Sequence, residues 1–285
     1  MGAIAIFSAY GPFFIIYTTD EYKTKKMVFR KVPAGTYTVL GTSVLHAEEN
    51  WGQKVLANHT VKFPVDFYIA IFRLTKAQYA AINGDLTQTD KSCQIVNMNT
   101  IRGSAGYTAF PTTGPIYNIR NKTGLYADIP TRAMLRVAGT AGVACFWADG
   151  SVGTTPTASI TDYIWCADNK GSNTIHTVPV GALKPNNWGI YDAAGLYHLM
   201  ARDCVPGATS GDTSITFDVA ERNQANGFIP VPPGDATKWT YQAGHINNAI
   251  SYNSFNGSWW GSTHEVTVRL AIFPQGYYPS GKESL

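Results

Sequence analysis

Short runs in which apolar and polar residues alternate occur along much of the chain and predict β-strands. Residues 27–32 (MVFRKV) and 36–40 (TYTVL) are two such runs, and residues 61–73 (VKFPVDFYIAIFR) form a third strand region. The last run, Glu265–Phe273, alternates Val, Val, Leu and Ile and predicts the final strand. Gly and Pro residues separate the runs and predict turns.

Two segments carry start signals for a helix. Residues 75–78 make the T-x-x-Q capping box, and the Asn-Gly pair at 83–84 ends the helix that follows. Thr131 predicts the start of a second helix over 132–138, with Gly139 as its stop. Most of the remaining chain is rich in Gly, Asn and Thr, which predicts long irregular connections that are functional or held by one another.

Composition indicates a loop-rich globular protein. Only 14% of residues are charged, about half the usual share, while 13% are aromatic. We expect residues 1–25 to add an N-terminal strand or an oligomer contact, and residues 26–285 to form a single α+β domain. A scattered net charge of +3 argues against a nucleic-acid partner. No apolar run reaches the length of a membrane helix, so we expect no membrane insertion.

The sequence offers no recognisable catalytic, metal or cofactor motif. It contains no G-x-S-x-G, P-loop or H-E-x-x-H pattern. The four cysteines lie far apart in the sequence, which favours reduced, partly buried thiols. The alternative is that they form one or two disulfides. His198 and Cys204 are the one close His/Cys pair, and such spacing alone does not make a metal site.

Residues 239–264 differ from the rest of the chain. They contain no Asp, Glu, Lys or Arg, yet six of them are Trp, Tyr or Phe, and most others are Asn, Ser, Gly, Thr or Ala. Tyr and Trp give rigid contact area while Ser, Gly and Asn give adaptable hydrogen bonds, a mixture that antibody paratopes use. We interpret the segment as a displayed binding surface. The alternative is an Asn/Gly-rich connection whose aromatic residues pack in the core.

Five stretches resemble the formylglycine-generating (sulfatase-modifying) enzyme domains, in the same order along the chain. They are VPAGTYT (32–38), DFYIAIFRLTKAQY (66–79), KTGLYADIPTRAMLRVA (122–138), PVGALKPNNWGIYDAAGLY (179–197) and VTVRLA (266–271). The resemblance implies the C-type lectin fold in its formylglycine-generating-enzyme variant, an α+β fold with much irregular structure. It also places Arg269 in the terminal G-F-R-like strand.

The sequence departs from these enzymes at the catalytic residues. The enzymes carry a cysteine pair shortly before the G-F-R-like strand, whereas residues 205–285 of this chain contain no cysteine. A thiolate is the oxidisable nucleophile and metal ligand in that chemistry, so no neighbouring side chain replaces it. Arg132, Met134 and Arg136 stand where the family pattern has acidic residues. We therefore expect no enzymatic activity, no catalytic residues and no cofactor.

Among non-enzymatic users of the fold, the chain most resembles the variable proteins of diversity-generating retroelements. In that family, template adenines are mutated in a C-terminal stretch, so Asn codons become Tyr, Ser, His, Phe and similar residues. Trp is not reachable in this way, so Trp239, Trp259 and Trp260 would be scaffold anchors, together with Arg269. The candidate varied, ligand-binding positions are Tyr241, His245, Asn247, Asn248, Ser251, Tyr252, Asn253, Ser254, Phe255 and Asn256.

These observations predict a non-catalytic receptor-recognition protein of a prokaryote or of a virus of prokaryotes, displayed on a virion or cell. The expected partner is a protein or glycan on another cell, and an oligomer would add avidity. Two alternatives stay open. One is an enzyme of the formylglycine-generating or oxidase class with relocated catalytic residues. The other is a structural viral or tail-associated domain without a specific ligand.

Overall fold

A computed structural model describes residues 4–7, 19–40, 58–103, 110–153, 157–204, 226–228, 238–242, 247, 257–261 and 265–277. The strands are β1 Ile4–Phe7, β2 Met27–Val32, β3 Gly35–Val39, β4 His59–Phe63, β5 Phe67–Ala70, β6 Ile95–Val96, β7 Ala127–Asp128, β8 Leu199–Cys204, β9 Lys238–Gln242, β10 Gly257–Gly261, β11 Val266–Thr267 and β12 Ala271–Ile272. The helices are α1 Glu21–Thr24, α2 Lys76–Ile82, α3 Met98–Arg102, α4 Gly114–Thr123 and α5 Arg132–Gly139, with a 3-10 helix at Ala158–Asp162.

Both predicted helices are present with the predicted caps. The Thr75 hydroxyl accepts a hydrogen bond from the Gln78 amide, and the Gln78 side chain accepts one from the Thr75 amide, which completes the capping box. Thr131 caps α5 by accepting from the amide of Met134. This helix ends at Gly139 with Thr140 as its C-cap, one residue later than predicted. Local sequence signals therefore located both helices.

The described strands form two five-stranded sheets and one two-stranded sheet. The first sheet has the order β1-β2-β5-β12-β7, the second β10-β9-β8-β11-β6, and β3 pairs with β4. β1 lies parallel to β2 at the end of the first sheet. The second sheet contains β9 and β10, which form an antiparallel pair. This second sheet therefore contains both ends of the aromatic segment 239–264.

The prediction of one final strand over Glu265–Phe273 is wrong in detail. The structure has two short strands there: β11 belongs to the second sheet and β12 to the first. Between them, residues 268–270 carry the chain from one sheet to the other, and all three are buried. The predicted strand region 61–73 is likewise two strands, β4 and β5, in different sheets. Alternation of apolar residues indicated extended backbone but not which sheet it joins.

Aromatic side chains pack together in the apolar core. Phe63, Phe67 and Phe228 are fully buried, and their ring centroids lie between 4.7 and 5.7 Å apart. Two buried arginines lie against the buried Asp128 carboxylate: Asp128 accepts from Arg102 at 3.0 Å, and Arg202 lies 3.4 Å from its other oxygen. In the described part of the chain, no helix is long and apolar enough to span a membrane.

Two further buried arginines hold the backbone turn at residues 191–197. The Arg73 guanidinium donates to the carbonyls of Asp192 (3.0 Å), Gly195 (2.8 Å) and Tyr197 (2.5 Å). Arg269, in the crossing between the two sheets, donates to the carbonyls of Tyr191 and Asp192 and to that of Ala70 in β5. Burial lowers the pKa of Arg269 to about 9. This value is still above neutral pH, so the guanidinium remains charged.

Replacing Arg269 by Met should lower the free energy of unfolding by about 3 kcal/mol, because the buried carbonyls of Ala70 and Tyr191 lose a donor and that of Asp192 is left with the bond from Arg73. Urea denaturation at pH 7 measures this loss. Lys62→Met, at an exposed position in β4, is the matched control and should change stability by less than about 0.5 kcal/mol. A loss below about 1 kcal/mol for Arg269→Met would show that the turn does not depend on this side chain.

Candidate functional site

The aromatic segment forms a β-hairpin whose two strands are β9 and β10. Gln242 pairs with Gly257 at one end, and Lys238 pairs with Gly261 at the other. Residues 243–256 therefore connect the two strands at the Gln242–Gly257 end. The sequence predicted anchored ends, but Asn, Ser and Gly disfavour strands, so the pairing itself was not predicted. The sequence feature that indicates this pairing is the presence of Trp, Thr and Tyr at the two ends of the segment, because these residues favour strands.

This end of the hairpin lies at one edge of the second sheet. Leu199, the first residue of β8, pairs with Gln242 in β9 and with Thr267 in β11. The residues just before β8 and β11, which are Tyr197, His198 and Glu265, therefore lie at the same edge as the Gln242–Gly257 pair. We call Tyr197, His198 and Glu265 the sheet edge. Glu265 is exposed, and the other two are half-buried.

Two of the predicted varied positions lie within the described residues. Tyr241 is in β9, opposite Met200 on one side and Ser258 on the other. Asn247 is exposed, and its side-chain oxygen accepts a hydrogen bond from the Lys170 ammonium at 2.8 Å. The segment around Lys170 thus lies beside the hairpin connection. The other predicted positions lie outside the described residues: His245, Asn248, Ser251, Tyr252, Asn253, Ser254, Phe255 and Asn256.

The predicted anchor residues lie in regular backbone. Trp239 and Trp260 are directly opposite each other in the β9–β10 pair, and Trp259 is opposite Thr240. Arg269 is fully buried and bonded to the turn at 191–197. That these four residues serve as invariant anchors stays a prediction.

Buried residues fix the sheet edge by donating hydrogen bonds to its main-chain carbonyls. Arg73 holds the carbonyl of Tyr197, and Thr267 donates to the carbonyl of His198 from its amide (2.9 Å) and its hydroxyl (2.7 Å). Arg73 also donates to the Thr267 hydroxyl at 2.8 Å, which joins the two bonds into one network. The sequence analysis missed this support. An arginine within the apolar run FYIAIFRL was the available signal, because a charge there must find partners.

The turn that precedes the sheet edge adopts uncommon backbone angles. Asp192 and Leu196 have φ values of +49° and +60°, which residues other than Gly rarely adopt. Gly195 has φ +69°, and a Cβ there would lie 2.7 Å from the carbonyl oxygen of Trp165. Such backbone persists only where surrounding contacts determine it, and it concentrates at functional sites. Here the contacts come from Arg73 and Arg269.

The electrostatic environment of the sheet edge is set by Tyr197 and Glu265. Burial, and then the charge of the Glu265 carboxylate, raise the pKa of Tyr197, so this phenol stays protonated at neutral pH. The rings of Tyr197 and His198 lie with centroids 5.3 Å apart in a tilted arrangement. The edge thus presents two rings and one carboxylate, which can form contacts with a ligand by stacking and hydrogen bonding.

The residues that replace the acidic family positions are part of the scaffold. Arg132 and Arg136 in α5 are buried, and Arg136 donates to the carbonyl of Leu40 at 2.8 Å. The amide of Arg132 donates to the buried Asp203 carboxylate at 2.6 Å, which ties the start of α5 to β8. Within the described residues, no group of three or more His, Cys, Asp or Glu side chains could hold a metal ion.

Three of the four cysteines are poor nucleophiles. Cys93, Cys145 and Cys166 are free and buried, as the sequence predicted. Burial raises the pKa of the Cys93 thiol to about 12 and that of Cys145 to about 11, and it also raises the pKa of Cys166. A thiol reacts as its thiolate, so these three remain protonated and unreactive at neutral pH.

Cys93 and Cys145 should therefore resist alkylation in the folded protein. We expect iodoacetamide at pH 8 to leave both unmodified under native conditions and to modify both after unfolding in guanidinium chloride, measured by peptide mass spectrometry. The unfolded sample is the control for peptide recovery. Rapid native modification of either residue would contradict the assigned burial.

Comparisons with known proteins agree with this architecture. In structure, the chain is similar to PvdO from Pseudomonas aeruginosa, with a TM-score of 0.62, 17% identity, and coverage of 86% of this chain and 94% of PvdO. It is also similar to Treponema denticola variable protein 1, with a TM-score of 0.59, 17% identity, and coverage of 87% and 95%. No curated protein sequence matches.

The predicted fold class is confirmed: the chain has an α+β, C-type lectin fold of the formylglycine-generating-enzyme type. The profile described as "Sulfatase-modifying factor enzyme 1-like domain" matches residues 16–227, which is most of the sequence. The chain therefore belongs to the sulfatase-modifying factor enzyme 1-like domain family.

Proposed function

We propose that this chain is a non-catalytic ligand-binding protein that presents residues 241–256 as a diversified surface on a C-type lectin scaffold. The observation that carries the proposal is the placement of the uncharged aromatic segment. Its two ends contain the paired strands β9 and β10, which residues 243–256 join along the chain beside the sheet edge. Exposed Asn247 supports this placement.

The support beneath the connection suits a binding surface. A loop that is held before binding loses less conformational entropy when a ligand orders it, so more of the contact energy appears as affinity. Here β8 pairs with β9 of the hairpin and β11 pairs with β8, and Arg73 and Thr267 fix the backbone at the neighbouring edge. Lys170 adds a bond to Asn247 from a different part of the chain.

The segment is suited to variation on a constant backbone. Strand pairing between β9 and β10 uses main-chain atoms, so the connecting side chains can change without removing those bonds. The composition of the segment is that of the variable proteins of diversity-generating retroelements, and one structural neighbour is named a variable protein. Affinity would come from a few aromatic side chains surrounded by adaptable polar contacts.

The partner we propose is a protein or glycan on another cell. The source we propose is a prokaryote, or a virus of prokaryotes, that displays the chain on its surface. Aromatic rings with Asn and Ser side chains bind either class of ligand. Several copies on one particle, or an oligomer, would convert weak single contacts into avidity.

The alternative of an enzyme with relocated catalytic residues rests on the family and on the neighbour PvdO. We favour the binding function because residues 205–285 lack the cysteine pair on which the family's chemistry depends, and Cys93, Cys145 and Cys166 are buried. A structural viral or tail-associated role would need no chemically distinct segment at 239–264. The abundance of aromatic residues there argues for a ligand.

Changing Asn248, Tyr252 and Phe255 together to Ser, Ala and Ala should abolish ligand binding and shift the melting temperature by less than about 2 °C, because surface changes affect stability little. Binding is measured by flow cytometry of fluorescently labelled protein on a panel of prokaryotic cells from the source habitat.

The matched control replaces three exposed residues of the β3–β4 sheet, Thr36, Thr38 and Lys62, with Ala. This variant should bind the same cells as the unchanged protein. If the triple change in the hairpin connection instead unfolds the domain, the segment is core. If that variant still binds at full strength, the ligand contacts another surface.

A further inference from the structure

The register of the second sheet places Glu265 beside Tyr197. β11 and β8 are parallel, with Thr267 opposite Leu199. Glu265 lies two residues before Thr267, and Tyr197 lies two residues before Leu199, so both stand where the two paired strands begin. After burial, the charge of Glu265 is the second cause that raises the pKa of Tyr197, so the carboxylate is within electrostatic reach of the phenol. An exposed carboxylate and a half-buried phenol are therefore neighbours at the sheet edge.

Both residues are held in place by the buried network. Tyr197 follows Gly195 and Leu196, whose positive φ angles turn the chain into β8, and Arg73 bonds to the carbonyls on both sides of Leu196. Glu265 precedes β11, whose Thr267 is bonded to Arg73 and to His198. A contact formed here would need little reorganisation, unlike a contact to the variable side chains.

Glu265 is also set apart by its charge. It is the first Asp, Glu, Lys or Arg after Lys238, so the whole hairpin connection is neutral while its neighbouring edge carries one negative charge. Within the described residues Glu265 forms no salt bridge. No described cluster of ligating side chains suits a metal ion at this edge.

We propose that Glu265 and Tyr197 form a constant subsite that binds one Lys or Arg side chain of a protein partner, beside the variable hairpin connection. The carboxylate pairs with the cation, and the tyrosine ring face attracts it. Arg matches best because its planar guanidinium stacks on a ring and bonds to a carboxylate at the same time. The inference rests on the proposed function and refines it: the ligand is a protein with a basic residue within a neutral surface.

Such a subsite would orient every ligand in the same way. The variable residues would then select among partners, while the basic residue fixes the register of docking. Electrostatic contacts at the rim of an interface contribute orientation and association rate more than affinity. The subsite is therefore weak on its own, and a small probe is sufficient to test it.

The test is a titration of the full chain with N-acetyl-arginine methylamide, followed by amide NMR shifts. N-acetyl-citrulline methylamide, its neutral analogue, is the comparison probe. We expect the arginine probe to shift the Glu265, Tyr197 and His198 amides in a saturable way, and the citrulline probe to leave them unchanged. Glu265→Gln and Tyr197→Leu should each weaken arginine binding by about two- to fivefold.

Glu21→Gln, at an exposed position in α1, is the matched control and should leave binding of the probe unchanged. Equal shifts with both probes, full binding by Glu265→Gln, or shifts only at other residues would each overturn the proposal. Shifts of these amides by glucosamine but not by arginine would assign the subsite to an amino sugar and overturn the assignment to a protein. Because the probe reports on the edge alone, failure here leaves the triple hairpin replacement as an independent test of the proposed function.

Discussion

The structure depends on the burial of two positive charges, those of Arg73 and Arg269. An isolated cation inside a protein costs many kcal/mol unless hydrogen bonds replace its hydration. In this chain the replacement comes from main-chain carbonyls of the turn at 191–197. The turn therefore cannot move without leaving the charges unsolvated. The same two side chains also contact Ala70 and Thr267, so they join the turn to both sheets.

This constraint fixes the backbone beside the proposed binding surface. The turn at 191–197 runs directly into the sheet edge, and β9 of the hairpin pairs with the strand that begins there. The buried guanidinium groups thus hold the backbone next to the Gln242–Gly257 pair. The bonds of Arg73, Arg269 and Thr267 go to the turn, to β5 and to the sheet edge, and not to side chains of residues 243–256. Under the proposed function, those side chains could vary while these bonds are kept.

Local features were predictable from the sequence, and long-range ones were not. The Thr75 capping box and the Thr131 cap involve residues three positions apart, so their chemistry is visible in the sequence. The final strand was predicted as one element because alternation does not show that Arg269 lies where the chain crosses between sheets. The bond from Arg73 to Tyr197 spans 124 positions, and only the folded chain brings these residues together. Composition identified the aromatic segment, whereas the fold showed that it joins two paired strands.

The family membership and the proposed function are compatible because the scaffold and the chemistry are separable. The scaffold of this chain is held by the buried arginines, the strand pairs and the capped helices. The family's thiol chemistry requires a cysteine pair near the C-terminal strand, where this chain has a neutral aromatic segment. Replacing a reactive pair by variable contact residues would convert a modifying enzyme into a recognition protein without altering the core.

The central claim is that residues 241–256 vary on a constant scaffold, and sequencing this gene and its flanks from many isolates tests it most directly. The account predicts a nearby reverse transcriptase gene and a near-repeat of the 3′ end. It also predicts substitutions confined to the codons of the hairpin connection, with Trp239, Trp259, Trp260 and Arg269 unchanged. Substitutions spread evenly along the gene, without a template repeat, would contradict it.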